Sequence, residues 1–243
     1  MKIKKAVILA GGNGTRLRPL TKIINKALLP IGNEPMIYHP IKKLVEAGID
    51  EILIVTGGEN PDGFLTLCRD GSHLGVKNLS YKYQSGANGI ADALKLAKWF
   101  VGDDNFAVLL GDNIFTDSLI GHVESYTEKE GAKVLLTKVK DPRRFGCPEF
   151  ADDGKITKII EKPQDPPSPY AVVGIYFYPA SIFTEVIPNL KPSARGEYEI
   201  TDVNNWYLER GLLQHSVLDG GWSDAGTWPS WNEANALIAK TKT

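Results

Sequence analysis

Short apolar runs alternate with amphipathic stretches along this chain, the pattern of strands and helices taking turns in a parallel or mostly parallel sheet. The runs Ala6–Ala10, Ile52–Val55, Leu79–Tyr83 and Ala107–Leu110 read as buried strands. Between them, Met36–Ala47 reads as a helix stopped by Gly48, with Pro40 inside it and expected to kink it. Ile90, Leu94, Ala97 and Val101 form one stripe, which predicts a second helix over Ile90–Val101. The second half is richer in strand. Val134–Val139, Ile156–Ile160 and Val172–Tyr178 are β-branched or aromatic, and Asp152-Asp153-Gly154 reads as a turn. Ile182–Leu190 and Val203–Glu209 read as helices, Gly211 as a cap, Leu213–Leu218 as a strand and Trp228–Lys240 as a helix. There is no internal repeat. Pro163–Pro169 is stiff but only a loop, so a single domain is expected.

Composition adds constraints. Of 243 residues, 42% are hydrophobic, enough for a substantial core. Net charge is −1, from 28 basic and 29 acidic side chains, so no basic excess points to a nucleic-acid surface. An anionic ligand must then be held by a few individually placed cations. Cys68 and Cys147 are too few for a disulfide framework. His39, His73, His122 and His215 lack metal-ligand spacing and read as structural or surface residues. The charged opening Met1–Lys5 leads into an apolar run too short for a signal segment, and no run reaches the length of a membrane span. A cytoplasmic protein without membrane contact is expected. A homo-oligomer is left open, because interfaces leave little trace in one sequence.

The segment Leu9-Ala10-Gly11-Gly12-Asn13-Gly14-Thr15-Arg16-Leu17-Arg18-Pro19 carries the first chemical signal. A strand ends, glycines permit a tight turn, and backbone N–H groups can face an anion. Arg16 supplies a cation at the exit and Lys26 offers a second. By itself the loop reads nearly as well as an ordinary turn. The dinucleotide fingerprint would need glycine where Leu17 stands, and a P-loop would need Gly-Lys-Ser/Thr.

Taken with Asn25-Lys26-Ala27-Leu28-Leu29-Pro30, this segment resembles the sugar-1-phosphate nucleotidyltransferases, the glucose-1-phosphate thymidylyltransferases most of all. The resemblance continues in order through Pro35–Tyr38, Gly111-Asp112-Asn113-Ile114-Phe115, Glu161-Lys162-Pro163, Tyr170–Val172, Lys191–Glu197, Glu199–Asp202 and Trp222–Thr227. It implies an α/β, three-layer Rossmann-like fold with a mostly parallel mixed central sheet. About residues 1–115 would form the nucleotide-binding half and about 116–243 the sugar-phosphate-binding half.

The resemblance also implies roles. Arg16 and Lys26 would be catalytic. Leu9, Gly11, Gly12, Gly14, Gln84, Gly89 and Asp112 would bind the nucleotide, with Gln84 and Gly89 at the thymine. Gly146, Glu161, Lys162, Val173 and Arg195 would bind the sugar phosphate, with Gly174 also letting backbone approach. Asp112 and Asp224 would hold Mg²⁺, which suits carboxylates from separate segments completed by water and phosphate. Each residue has a plainer reading beside this one. Asp112 and Asp224 serve equally as turn residues, Glu161-Lys162 as a solvated pair, Arg195 as a surface arginine and Trp222 as core. Thr201 or Asp202 reads equally as the cap of the following helix.

Some positions depart from the family pattern. Phe145 stands where tyrosine is common, Cys147-Pro148 where a small apolar pair is usual, and Val173 where threonine is common. Longer members carry C-terminal helices associated with subunit packing and a regulatory nucleotide site, so that site is not expected here. The implied activity transfers dTMP from dTTP to glucose 1-phosphate. A uridylyltransferase using UTP and a non-catalytic nucleotide-sugar sensor are the alternatives. A glycosyltransferase would want an Asp-x-Asp metal triplet, which this chain lacks, and a nicotinamide dehydrogenase would want the third glycine.

Overall fold

The computed structural model describes residues 3–58, 60–86, 88–126 and 131–241. The first two residues of the charged opening lie outside them. Strands β1 (Lys5–Ala10), β2 (Glu51–Gly57), β3 (Asn78–Gln84) and β4 (Phe106–Leu110) lie parallel in the order β4-β1-β2-β3. The later strands are β5 (Ala132–Lys138), β6 (Gly146–Phe150), β7 (Ile156–Glu161), β8 (Tyr170–Tyr178) and β9 (Leu213–Val217). β8 joins the two groups. It runs antiparallel to β4, β5 and β6, while β9 adds in parallel to β5. The result is one nine-stranded mixed sheet.

Alternation along the strands explains the layers. Ala6, Ile8, Ile52, Ile54, Ala107, Leu109, Ile175 and Phe177 feed one core. Val7, Leu9, Leu53, Val55, Phe106, Val108, Tyr176 and Tyr178 feed the other. Successive side chains point to opposite faces and both faces are covered, so the strands read as continuous apolar runs. Helix α1 (Tyr38–Glu46) closes the first face through Ile41 and Leu44. On the second face, the segment Ile90–Lys95 contributes Ala91 and Leu94, and helix α2 (Ile200–Leu208) contributes Val203 and Tyr207. Helix α3 (Trp228–Thr241) packs Ala234 and Ile238 against Leu17 and Ala225 in a third, smaller core.

Several expectations change at this level. Helix α1 begins at Tyr38, so Pro40 lies in the first turn, where no intrahelical N–H is required, and it has no helix interior to kink. The stretch Ile90–Val101 breaks into Ile90–Lys95 and Lys98–Val101. Ile182–Leu190 is not a regular helix. A widened π turn over Ile182–Val186 passes into a 3₁₀ turn over Ile187–Asn189, where Pro188 lacks the N–H a helix would use. Gly211 does cap, with φ 68° and its N–H donated to Leu208 O. Thr201 and Asp202 cap nothing: Glu199 is at the N-cap of α2, without a side-chain cap bond, and both lie inside the first turn. No helix among the described residues is long and apolar enough to cross a membrane.

Candidate active site

The glycine loop leaves β1 at the carboxyl end of the parallel strands, the edge where open α/β sheets bind ligands. Gly14 adopts φ 60° and opens a 3₁₀ turn over Thr15–Leu17 that presents Arg16. Leu17 is fully buried in the third core, and this anchors Arg16 beside it. Arg16 itself is exposed, with no ion pair among the described residues. Asn25 secures the next loop: its Nδ2 donates to Ala10 O at 2.9 Å and its Oδ1 accepts from Ala27 N. Lys26, held there, donates to Asp112 Oδ2.

Asp112 is the second residue after β4, and the intervening Gly111 N donates to Leu9 O, which stitches that turn to β1. Asn113 fixes the carboxylate from behind. Its Nδ2 donates to Asp112 Oδ1 at 3.1 Å, and its Oδ1 accepts from Trp222 Nε1 at 2.8 Å and Gly174 N at 3.0 Å. Asp224 arrives on a separate loop anchored by Ala225 in the third core. Its Oδ2 accepts from Arg144 Nη2 at 2.6 Å. A methyl placed on Gly226 would lie 3.4 Å from Arg16 Nη2 and 3.6 Å from Asp112 Oδ2, so the Asp224 loop, Arg16 and Asp112 meet.

Two contiguous cavities open here and share Lys26, Ile90, Leu110, Asp112, Glu161, Lys162 and Ile200. The first, about 280 Å³, adds Leu9, Gly11, Gly12, Gln84, Gly89, Arg195 and Glu199. Gln84 is only 7% exposed, and its Nε2 has no hydrogen-bond partner among the described residues. An unsatisfied buried donor costs about 1–3 kcal/mol, a cost that a ligand acceptor would relieve. Gly89 has φ 103°, and a methyl there would meet Tyr198 O at 2.5 Å. Close backbone packing against the Tyr198 segment is therefore reason enough for glycine. Gly14 lies beneath this wall, against Thr21 and Lys26.

The second cavity, about 350 Å³, adds Arg16, Arg144, Gly146, Val172, Gly174, Tyr176, Thr201, Asn204, Trp222 and Asp224. Glu161 ends β7 and accepts from Thr201 Oγ1 at 2.5 Å. Lys162 adopts φ 44°, unusual for a residue with a β-carbon, and lies 3.2 Å from Glu161 Oε1. Gly146 approaches Thr201 so closely that a methyl would stand 3.1 Å from Oγ1.

Two expected sugar-phosphate residues are placed differently: one in the core, one at the first cavity. Val173 is completely buried in the first core, because strand alternation turns it away while Val172 and Gly174 face the cavity. Arg195 lines the first cavity and reaches Glu199 at 2.8 Å, Glu161 at 3.3 Å and Glu197 at 3.6 Å. Burial works against its charge, but the three carboxylates outweigh that and raise its pKa. Arg195 is thus committed to carboxylates and is not a free cation. Asn113 and Arg144 had no assigned role, although the resemblance motif includes Asn113. Apart from Asp112 beside Asn113, their partners lie 61, 109 and 80 residues away along the chain, so local pattern carries no sign of those contacts.

The histidines stay out of the cleft: His39 contacts Ile31 O, His73 the Tyr38 hydroxyl and His122 the Ser216 hydroxyl, while His215 packs on Phe150. Both cysteines are buried and free, and burial pushes the Cys68 thiol up to about 11. No group of three or more His, Cys, Asp or Glu residues suited to a metal occurs among the described residues. Asp112 and Asp224 supply two hard oxygen donors on one cavity wall, which fits a divalent cation that keeps water and phosphate for its remaining positions.

The sequence and the fold that carry this cleft are both matched in known proteins. The family described as "Nucleotidyl transferase" matches residues 5–241. The chain is 43% identical over 238 residues to the glucose-1-phosphate thymidylyltransferase of Neisseria meningitidis, covering 96% of this chain and 82% of that protein. A crystal structure described as a glucose-1-phosphate thymidylyltransferase of Bacillus anthracis, in complex with sucrose, superposes with TM-score 0.90 at 51% identity, covering 96% and 94% of the two chains. A UDP-glucose pyrophosphorylase bound to UDP-glucose superposes with TM-score 0.85 at 27% identity, covering 98% and 99%. With the match spanning nearly every residue and the fold shared throughout, the chain belongs to the nucleotidyl transferase family.

Proposed function

We propose that this enzyme transfers dTMP from dTTP to glucose 1-phosphate, releasing pyrophosphate and giving dTDP-glucose for deoxysugar or polysaccharide precursors in the cytoplasm. The observation that carries this reading is the convergence of Arg16, Lys26, Lys162, Asp112 and Asp224 on one cavity. Two polyanions must meet there, and each needs charge held in place before it arrives.

In this reading the triphosphate lies along Gly11, Gly12 and Gly14, with Arg16 and Lys26 on its phosphates. The base lies by Leu9 and Gly89, and the unpartnered Nε2 of Gln84 donates to a carbonyl of the thymine. The sugar ring rests against Gly146 and Glu161, and Lys162 holds its phosphate. Arg195 acts by tying Glu161 and Glu199 together. Val173 is left out, since its side chain faces the core.

An oxygen of the sugar phosphate attacks the α-phosphorus of the triphosphate. The new P–O bond forms as the bond to the bridging oxygen breaks, and pyrophosphate leaves with that electron pair. Phosphate is already nucleophilic and pyrophosphate a good leaving group, so no side chain need remove a proton. Position and charge neutralisation do the work. Lys162 aims the nucleophile, Arg16 and Lys26 balance charge gathering on the leaving group, and Asn113 keeps Asp112 oriented. Mg²⁺ held by Asp112 and Asp224 would neutralise and orient the phosphates.

Pyrophosphate release, measured with magnesium, dTTP or UTP and a panel of sugar phosphates, tests this. The highest kcat/KM is expected for dTTP with glucose 1-phosphate. A preference for UTP would replace the reading with the activity named for the UDP-glucose pyrophosphorylase neighbour. Tight nucleotide binding without turnover would make the chain a sensor. Arg16→Ala and Asp112→Ala should each lose roughly 10²–10³ in kcat while remaining folded.

A further inference from the structure

Both carboxylates assigned to the divalent ion already have a cationic partner, Asp112 in Lys26 and Asp224 in Arg144. Lys26 has a place in the reaction. Arg144 has none so far, yet its position is well specified. The Asp141 carboxylate accepts from Arg143 N and, at 2.7 Å, from Arg143 Nε. These bonds set the short turn Pro142–Arg144 and engage the Asp141 carboxylate with Arg143. The Arg144 guanidinium then lies 5.2 Å from the centroid of the Phe145 ring, which meets Trp222 edge-on at 5.3 Å. Trp222 in turn donates to Asn113, the residue that orients Asp112.

The pair is asymmetric. The Arg144 side chain is 37% exposed and that of Asp224 only 14%. The guanidinium is therefore the freer of the two to move while the carboxylate stays, and both line the cleft that receives the phosphates. Before substrates arrive, Lys26–Asp112 and Arg144–Asp224 are two neutral pairs within the cleft. A divalent ion taking both carboxylates would release two single positive charges, just where two phosphates must be received.

We propose that Arg144 is a displaceable counter-ion for Asp224: it holds that carboxylate while the ion is absent, competes with the ion for Oδ2, and once displaced turns to a substrate phosphate. The proposal rests on the reading that Asp112 and Asp224 share an ion. It makes Arg144 a fourth side-chain cation of the reaction and gives it control of metal affinity, which a merely structural arginine would not have.

The test is Mn²⁺ binding to the substrate-free protein, followed by electron paramagnetic resonance, for wild type, Arg144→Gln, Arg144→Lys and Asp224→Asn, with thermal melts confirming that each is folded. Removing a competing charge in contact with the carboxylate should tighten Mn²⁺ binding roughly tenfold in Arg144→Gln, with Arg144→Lys in between. Turnover in Arg144→Gln should fall at least about tenfold despite the tighter ion. Unchanged or weaker Mn²⁺ binding in Arg144→Gln, while Asp224→Asn loses the ion, overturns the proposal alone. If Asp224→Asn binds Mn²⁺ as wild type does, the shared-ion reading fails and takes the proposal with it.

Discussion

Asn113 joins three segments through one side chain, bonding Asp112, Trp222 and the backbone of Gly174. Asn113→Ala should therefore lower both activity and stability, kcat by roughly tenfold to a hundredfold and unfolding free energy by about 1–3 kcal/mol, checked by steady-state kinetics and a urea midpoint. Gln84→Leu should separate the two effects. Its Nε2 is buried without a partner among the described residues, so the apolar variant should fold at least as stably, while KM for dTTP rises about tenfold. A matching loss of stability would mean that the amide bonds within the protein. Asp112 and Gln84 were candidates through the family resemblance, and their places after or at the end of a strand agreed with it. The resemblance assigned Asn113 and Arg144 no role, because Gly174, Trp222 and Asp224 lie far from them along the chain.

At the scale of elements, α2 gives a clean contrast. If Thr201 capped this helix, Thr201→Val would cost about 1 kcal/mol. Its hydroxyl instead donates to Glu161. The expected outcome is a melting temperature close to wild type and a severalfold higher KM for the sugar phosphate, read from calorimetry and kinetics. Gly89 is a different case. Ala91 N donates to Tyr198 O, Tyr198 N donates to Asn88 O, and a β-carbon at position 89 would intrude on that backbone. Gly89→Ala should cost about 2–4 kcal/mol in a urea titration and displace the loop carrying Arg195 and Glu199. Apolar runs disclosed the strands because burial on both faces leaves little else possible. The segments Ile90–Val101 and Ile182–Leu190 were misread as single helices, since breaks of this kind depend on how each turn docks on the sheet.

For the whole molecule, acid stability follows from two histidines held neutral. Burial lowers the pKa of His122, aided by the Lys133 charge and opposed by Asp117 and Asp219; burial and Lys133 also lower that of His215. As pH falls through the ordinary histidine range near 6.5, the unfolded chain takes up protons before the folded one does. Stability contributed by neutral burial is therefore complete above that range and declines below it, by at most about 1.4 kcal/mol per pH unit for each group. Urea midpoints between pH 8 and pH 5 should fall on the acid side, and His215→Phe should flatten that fall. A midpoint insensitive to this substitution would place the acid response elsewhere.

The sequence by itself determined which segments must be buried, that strands and helices alternate, and which glycines, cations and carboxylates belong to the family pattern. Those properties are local: apolar periodicity and motif order survive when the chain is read one residue at a time. Only the tertiary structure decided that Val173 faces the core, that Arg195 is spent on three carboxylates, and that Thr201 serves Glu161. It alone brought Arg16 to Asp224, because Leu17 and Ala225 are buried together against α3. Contacts between segments separated by tens or hundreds of residues are fixed by packing, which no short stretch of sequence encodes.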